Sequence, residues 1–335
     1  MSVYFLFLLS FLLCIFLQKK TASIIFPILW FAVIGLRNEI GTDWYPTLEF
    51  FDRAIINEKS FNSYQLVDTE LLWKLIATIW DKIGIAQESI FILISFIEAI
   101  IISHLIRISK DHRLAIIAIS TAFFLFFPMN ALRQGFCLIA LVVSFSPILR
   151  MKFFGNILAF TSHLSSIPLI LALKVKIQLK YIILLIIPFL YAIYLAQDLI
   201  LLRYVDIYGS LGFSPRLAFQ SILTILLIIS FDTSPDRFKH ISLILFFYAS
   251  TYFIFFSYRF VGFLAAFYIL YYGTYFKTKN IYAVLIFLLA SFSFLFSDLS
   301  DIYRATYSSE LQIPKECFKC TPWLPYNNYL FIQVE

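Results

Sequence analysis

The stretch Ile24-Ile25-Phe26-Pro27-Ile28-Leu29-Trp30-Phe31-Ala32-Val33-Ile34-Gly35-Leu36-Arg37-Asn38-Glu39-Ile40-Gly41-Thr42-Asp43-Trp44-Tyr45 decides how this chain is read. Its first half is apolar and uncharged, too greasy for the surface of a soluble protein. Its second half packs a base, two acids, a glycine and two aromatic rings into nine positions. A helix needing only an anchor at the membrane surface would use one or two interfacial residues there. Segments of this kind, where a membrane helix emerges into water, are where membrane enzymes and transporters place their chemistry.

The rest of the chain has the same character. It is 61% hydrophobic and only 14% charged over 335 residues, against about 25% charged in soluble domains. The apolar residues fall in long runs, each approaching the roughly 20 residues a spanning helix needs. The fold class expected is therefore all-α, a polytopic membrane protein with about ten transmembrane helices. The expected spans are 3–18, 22–36, 86–106, 114–128, 134–149, 181–202, 217–231, 241–257, 261–276 and 281–297. The run from Val3 to Leu17 has no preceding base and no small-residue cleavage site after it, so it reads as a retained helix. The whole is expected as one membrane-embedded domain, 1–335, with a long external loop at 37–84 and an external tail at 298–335.

Residues 153–173 form a further apolar run, broken by Thr161-Ser162-His163-Leu164-Ser165-Ser166 and then Pro168. Lysines favour the cytoplasmic side. Lys19 and Lys20 set the first loop inside, and Arg107, Lys110, Arg113, Arg150 and Lys152 then follow inside by alternation. Lys174, Lys176 and Lys180 join them only if 153–173 enters and returns, so a re-entrant helical hairpin is expected. An eleventh helix bent near Pro168 is the alternative. With the hairpin, Arg37, Arg133, Arg203, Arg216, Arg259 and Arg304 lie at external helix ends and loops, against the orientation signal. Guanidinium binds phosphate or carboxylate through paired hydrogen bonds. Snorkelling to lipid phosphates is the competing explanation for any one of them.

Between the ends of the long loop, Leu71, Leu72, Leu75, Ile76 and Ile79 repeat with helical period, predicting an amphipathic helix at about 68–82, capped by Asp68 or Thr69. Trp73, Lys74 and Trp80 suit a helix at the membrane interface; packing on its own transmembrane core is the other reading. Arg133 falls at the start of a helix, where the dipole already favours an anion. His163 sits at the tip of the hairpin among serines, able to serve as a base, a donor or a structural residue. Glu98 lies inside a span, where an acid costs about 2.5–3.5 kcal/mol on insertion scales. It is expected to be protonated, paired with an arginine or part of a proton path.

Cys317 and Cys320 form one CxxC pair in the tail, while Cys14 and Cys137 lie in apolar helices. That set does not supply four zinc ligands, and no metal or other cofactor is expected. There is no nucleotide-binding loop. The net charge of +6 is accounted for by inside lysines and outside arginines, with no basic arm for nucleic acid.

Leu36-Arg37 with Gly41-Thr42-Asp43-Trp44-Tyr45, then Leu132-Arg133-Gln134, Ser162-His163-Leu164-Ser165 and Tyr258-Arg259-Phe260 follow one another in an order that resembles the EpsG-like group of Wzy-type polysaccharide polymerases. The Arg…Gly-Thr-Asp-aromatic element is the specific part, with Trp44 standing where tyrosine is usual. The segment 298–320 has no counterpart in that pattern. The resemblance implies a bacterial inner-membrane glycosyltransferase with its active site facing the periplasm. Its donor would be a growing glycan on undecaprenyl diphosphate and its acceptor a lipid-linked oligosaccharide repeat unit. Membrane lipid is the further partner, and a chain-length regulator one the resemblance allows. Arg37, Arg133 and Arg259 would then recognise the diphosphate, Asp43 or His163 would act as the base, and Trp44 and Tyr45 would stack on sugar.

Two other classes compete. A lipid-linked oligosaccharide flippase should show two similar halves around about twelve helices, and no repeat is visible. A membrane O-acyltransferase should carry an early histidine with arginine, whereas the first histidine here, His104, lies on the inner side.

Overall fold

The computed structural model describes residues 2–36, 47–48, 51–52, 71–123, 132–162, 173, 215–234, 236–250 and 257–308. Among them all regular structure is helical, as the composition requires. The elements are α1 (Ser2–Leu13) with a 3-10 turn (Cys14–Phe16), α2 (Lys19–Trp30) with a π-helical turn (Phe31–Gly35), α3 (Leu71–Ile83) and α4 (Ser89–Ile108). Then come α5 (His112–Ala118) with a second π-helical turn (Ile119–Phe123), α6 (Leu132–Val143), α7 (Leu149–Ser162), α8 (Pro215–Phe231), α9 (Arg237–Ser250), α10 (Ser257–Tyr275) and α11 (Ile281–Ser308). Among the described residues α4 alone is both long and apolar enough to cross a membrane by itself; α6, α8 and parts of α1, α5, α10 and α11 are shorter apolar helices.

Among the described residues most boundaries fall within a few residues of the sequence reading, with two differences, and the expected span 181–202 lies outside them. The expected span 134–149 ends early, at Val143, and a new helix starts at Leu149. Pro147 is the cause, because proline disfavours helical conformation in the residue before it. Ser144 closes the first helix by donating from Oγ to the Leu141 carbonyl (2.5 Å), and Ser146 opens the next by accepting at Oγ from the Ile148 amide (3.2 Å). The second difference is at the end of the described chain: α11 continues as helix to Ser308, through the start of the expected tail. The return limb of the expected hairpin lies outside the described residues, apart from Leu173.

The chain divides into two compact units: Met1–Ser166 with Leu270–Lys277 and Ser291–Glu335, and Ile167–Ile269 with Thr278–Ala290. In the first unit α6 is the central helix. From Gly135 to Ser144 every residue is buried, the expected state of a helix that is apolar all round. Helix α7 packs antiparallel to it through a face of small residues, Gly155, Ala159 and Ser162, all buried. A Cβ on Gly155 would lie 2.6 Å from the Ser144 amide nitrogen and 2.8 Å from the Ala140 carbonyl oxygen. Further along the pair, Cys137 Sγ lies 3.7 Å from the Ala159 carbonyl oxygen. The opposite face of α7 exposes Leu149, Phe153, Phe154, Ile157 and Phe160, a surface suited to lipid.

The basic loops of this unit converge at one end. Lys19 Nζ donates to the Ser109 carbonyl (2.6 Å), His112 Nε2 lies 3.0 Å from the Leu17 carbonyl oxygen, and the Lys110 amide donates to the Thr274 carbonyl (3.0 Å). Asp111 caps α5 by accepting from the Arg113 amide (3.0 Å). The C-terminal end of α6 reaches the same region, since Tyr275 donates its hydroxyl proton to the Val142 carbonyl (2.9 Å). Loops that the lysine pattern assigns to one side of the membrane are thus bonded to one another. The first turn of α6 lies at the other end of α4, against Ile90, Phe91 and Ile94.

In the second unit α8 and α9 form a hairpin whose turn is closed by Asp232, which accepts from the Ser234 amide (2.9 Å). Asp232 Oδ2 lies 3.6 Å from His240 Nδ1, and the His240 ring packs on Tyr268 (5.4 Å). Phe247 stacks on Phe260 (5.1 Å), fixing α9 against α10.

The Gly155 contact generates a paired test. In Gly155→Ala the new methyl meets backbone atoms that cannot swing aside, so destabilisation of about 1–3 kcal/mol is expected. Gly262, in α10, has nothing among the described residues beyond its own helix backbone within 4 Å of an added Cβ, so Gly262→Ala should be neutral or stabilise by roughly 0.5–1 kcal/mol. Thermal unfolding of the two purified variants in detergent, compared with wild type, measures both; equal melting temperatures would contradict the close approach of α6 and α7.

Candidate functional site

The end of the first unit remote from the basic loops is organised by Trp73, on α3. The helical pattern of α3 carries two apolar faces. Leu72, Trp73, Ile76, Ala77 and Trp80 turn inward, with Trp73 and Ala77 buried, while Leu71, Leu75, Ile79 and Ile83 form an exposed stripe. The sequence alternatives for this helix are both represented: the inner face packs on the protein's own core, and the outer stripe suits lipid. Trp73 belongs to the core rather than to an interfacial anchor. Gly84 follows with φ of 72°, a left-handed position that ends α3 and turns the chain into α4. Trp80 reinforces the turn by donating its indole N–H to Ser89 Oγ (2.7 Å).

Around Trp73 three separate parts of the chain meet. Its indole N–H donates to the Ser162 carbonyl at the end of α7 (2.5 Å). Its ring packs edge-on against Phe136 (5.6 Å) in the second turn of α6 and against Phe51 (6.3 Å). Leu132, Phe51 and Trp73 are each fully buried in this cluster. Thr47 is buried too, and its hydroxyl finds no partner among the described residues. Gln87 holds the same segment from outside by donating to Asp52 Oδ1 (2.7 Å).

These anchors are sequence neighbours of the expected site residues. Leu48 follows Tyr45 by three positions, Leu132 precedes Arg133, and Ser162 precedes His163. Arg133 itself is half-buried in the first turn of α6, where helix amides and dipole favour an anion. Arg37, Asp43, Trp44, Tyr45 and His163 lie outside the described residues. Arg259 belongs to α10, in its first turn, and its side chain also lies outside them. Leading toward Arg37, the π-helical turn packs Gly35 on α4, where an added Cβ would stand 3.1 Å from Ser95 Cβ.

A model of the EpsG family matches residues 19–307, most of the chain. The chain belongs to the EpsG family. No curated protein and no solved structure matches it significantly. The EpsG family is exopolysaccharide- and O-antigen-polymerase-like, which ties the chain to polysaccharide biosynthesis at a membrane and is consistent with a glycosyltransferase-like polymerase.

Sequence reasoning singled out the segments of this EpsG-family chain that meet here but not the residue that joins them. The available signal was the second face of α3: 72, 73, 76, 77 and 80 share helical spacing as well as 71, 75 and 79 do. Trp73→Phe keeps a ring in the cluster and removes the N–H, leaving the Ser162 carbonyl without that donor. A loss of about 1–3 kcal/mol is expected, and Trp73→Ala should cost more, about 3–5 kcal/mol. Thermal stability in detergent checks both, and an unchanged Trp73→Phe would show that the bond contributes nothing.

Proposed function

We propose that this protein is a polysaccharide polymerase. It transfers a growing glycan from undecaprenyl diphosphate to a lipid-linked oligosaccharide repeat unit at the periplasmic face of a bacterial inner membrane. Ten spans and a re-entrant hairpin at 153–173 would carry the site. The observation that most supports this reading is the convergence on Trp73 of the chain beside Tyr45, beside Arg133 and beside His163, in an apolar all-helical chain of the EpsG family.

In this reaction a hydroxyl oxygen of the acceptor sugar attacks the anomeric carbon of the donor glycan. The bond from that carbon to the diphosphate oxygen breaks, and the polyprenyl diphosphate leaves with the electron pair. The hydroxyl proton passes to a base. Negative charge grows on the leaving group in the transition state, so donors fixed in advance around it lower the barrier. Arg133 at a helix start is suited to that task, with Arg37 and Arg259 as its partners in holding the diphosphate. Trp44 and Tyr45 provide aromatic faces for sugar rings. Of the two candidate bases, His163 has the better matched chemistry, because an unperturbed imidazole titrates near 6.5. Asp43 beside Arg37 would stay ionised and serve mainly in positioning. A chain-length regulator is the protein partner such a reaction would use.

Surface glycan from a deletion strain complemented with each variant tests the assignment. Wild type should give a ladder of polymer, and the deletion a single capped repeat. Arg133→Lys should lose at least about tenfold in polymer, because a point charge does not reproduce paired hydrogen bonds. His163→Ala should lose polymer with folded protein retained, and Asp43→Asn should keep part. Normal polymer from His163→Ala would transfer the role of base to Asp43, and a full ladder in the deletion strain would end the polymerase reading.

A further inference from the structure

Glu98 is the one acid among the described residues with no exposed surface at all, and it lies midway along α4. Its Oε2 accepts the indole N–H of Trp30 (3.2 Å). Trp30 is the last residue of α2, at the point where the helix widens into the π-helical turn Phe31–Gly35. The same indole stacks on Phe123 (5.4 Å, 13° between planes), the last residue of the other π-helical turn, Ile119–Phe123. Phe26 and Phe11 back the indole from the far side, at 6.3 and 5.8 Å. One side chain therefore bonds to α4 and packs on the ends of both irregular turns.

Where these turns lead is the point of interest. Gly35 closes the first, two residues before Arg37, and the second runs in sequence toward Arg133. A π-helical turn is less favourable than α-helix and is frequent at functional sites; it persists where its surroundings over-determine it. Here the surroundings are Trp30, Phe123 and α4, and Gly35 completes them by packing so closely on Ser95, one turn before Glu98, that an added Cβ would fall 3.1 Å away. An aliphatic residue at 98 would fill the space without the penalty of burying an acid. The carboxyl group instead supplies, through Oε2, an acceptor for the Trp30 indole N–H.

We propose that Glu98 is a positioning residue for the glycan-transfer site: through the Trp30 indole it fixes both π-helical turns, the first of which closes two residues before Arg37. This rests on the polymerase reading for its consequence, but not for its geometry. The role requires an acceptor for the indole N–H, not a charge or a transferable proton.

Glu98→Gln keeps an acceptor; Glu98→Ala removes it; Trp30→Phe keeps a ring and removes the donor. The full-length variants are compared for polymer formed per folded protein, and for hydrogen exchange in peptides covering 31–36 and 119–123 of the purified chains. Glu98→Gln should stay within about threefold of wild type, while Glu98→Ala and Trp30→Phe each lose about tenfold, the size of one hydrogen bond. The double variant should be no worse than Glu98→Ala. Exchange should accelerate in both turns in the two damaging variants and stay as in wild type in Glu98→Gln. Unchanged exchange in Glu98→Ala would overturn the proposal. So would a Glu98→Gln as inactive as Glu98→Ala, which would show that the acid itself is needed. If wild type makes no polymer, the functional reading fails, and the exchange measurements still decide whether Glu98 holds the two turns.

Discussion

The hydrogen bond from the Trp73 indole to the Ser162 carbonyl is the contact on which the remote end of the first unit depends. The last carbonyls of any α-helix have no partner within it, and in an apolar bundle there is no water to replace one. Ser162 is the last described residue of α7, and its carbonyl is met by a side chain from another helix. An indole does this with one N–H while its ring fills the space between α6 and the segment containing Phe51. The same side chain thus satisfies a helix carbonyl and joins separate stretches of chain. Packing and hydrogen bonding are not separable at this position.

The close approach of α6 and α7 follows from a different constraint. Between helices in lipid the hydrophobic effect offers little, and association relies on van der Waals contact and backbone proximity. Gly155, Ala159 and Ser162 present almost no side chain toward α6, so at Gly155 the backbones come into close approach and at Ala159 the Cys137 thiol reaches the backbone carbonyl. The antiparallel register brings Ser162 level with the first turn of α6. A histidine immediately after Ser162 and an arginine in that first turn therefore belong to neighbouring points of the chain path, although 30 positions separate His163 from Arg133. Had α7 carried a large residue at 155, the helices would stand apart and Trp73 would not span the gap.

Much of this architecture was legible in the residues. The apolar runs gave helices, the lysine-bearing turns gave loops that prove to be bonded at one end, and periodicity gave α3. What escaped was local. The end of α6 at Val143 was signalled by Pro147, but the apolar residues on either side of it masked the break. The sequence allowed Trp73 both lipid and core, and base rates favoured core, but α3 has an apolar residue at nearly every inward and outward position, so the partner of the indole could not be read. The π-helical turns at Phe31–Gly35 and Ile119–Phe123 leave no periodic trace, because five residues are too few for a change of period to show. Their cause is tertiary: the Trp30 stack and the packing of Gly35 against α4. For the site, sequence order picked out the segments, and only the fold could show that three of them share one cluster.

A further consequence concerns why polar groups are tolerated in this apolar chain. Several buried hydroxyls of the first unit turn back onto their own helix, as Thr121 does to Ile117 and Ser144 to Leu141, which satisfies the donor at almost no cost to packing. Those that reach across helices sit where chain segments must be held in register. Ser103 donates to the Ser23 carbonyl (2.6 Å), Trp30 to Glu98 and Trp73 to Ser162. In hydrocarbon such bonds are worth only about 0.6–2 kcal/mol each, too little to assemble the bundle. Their value lies in direction, since a hydrogen bond fixes angle and distance where dispersion between aliphatic side chains does not. A bundle built on close helix contacts is thereby given defined geometry at the few places where chain leaves it for the membrane surface.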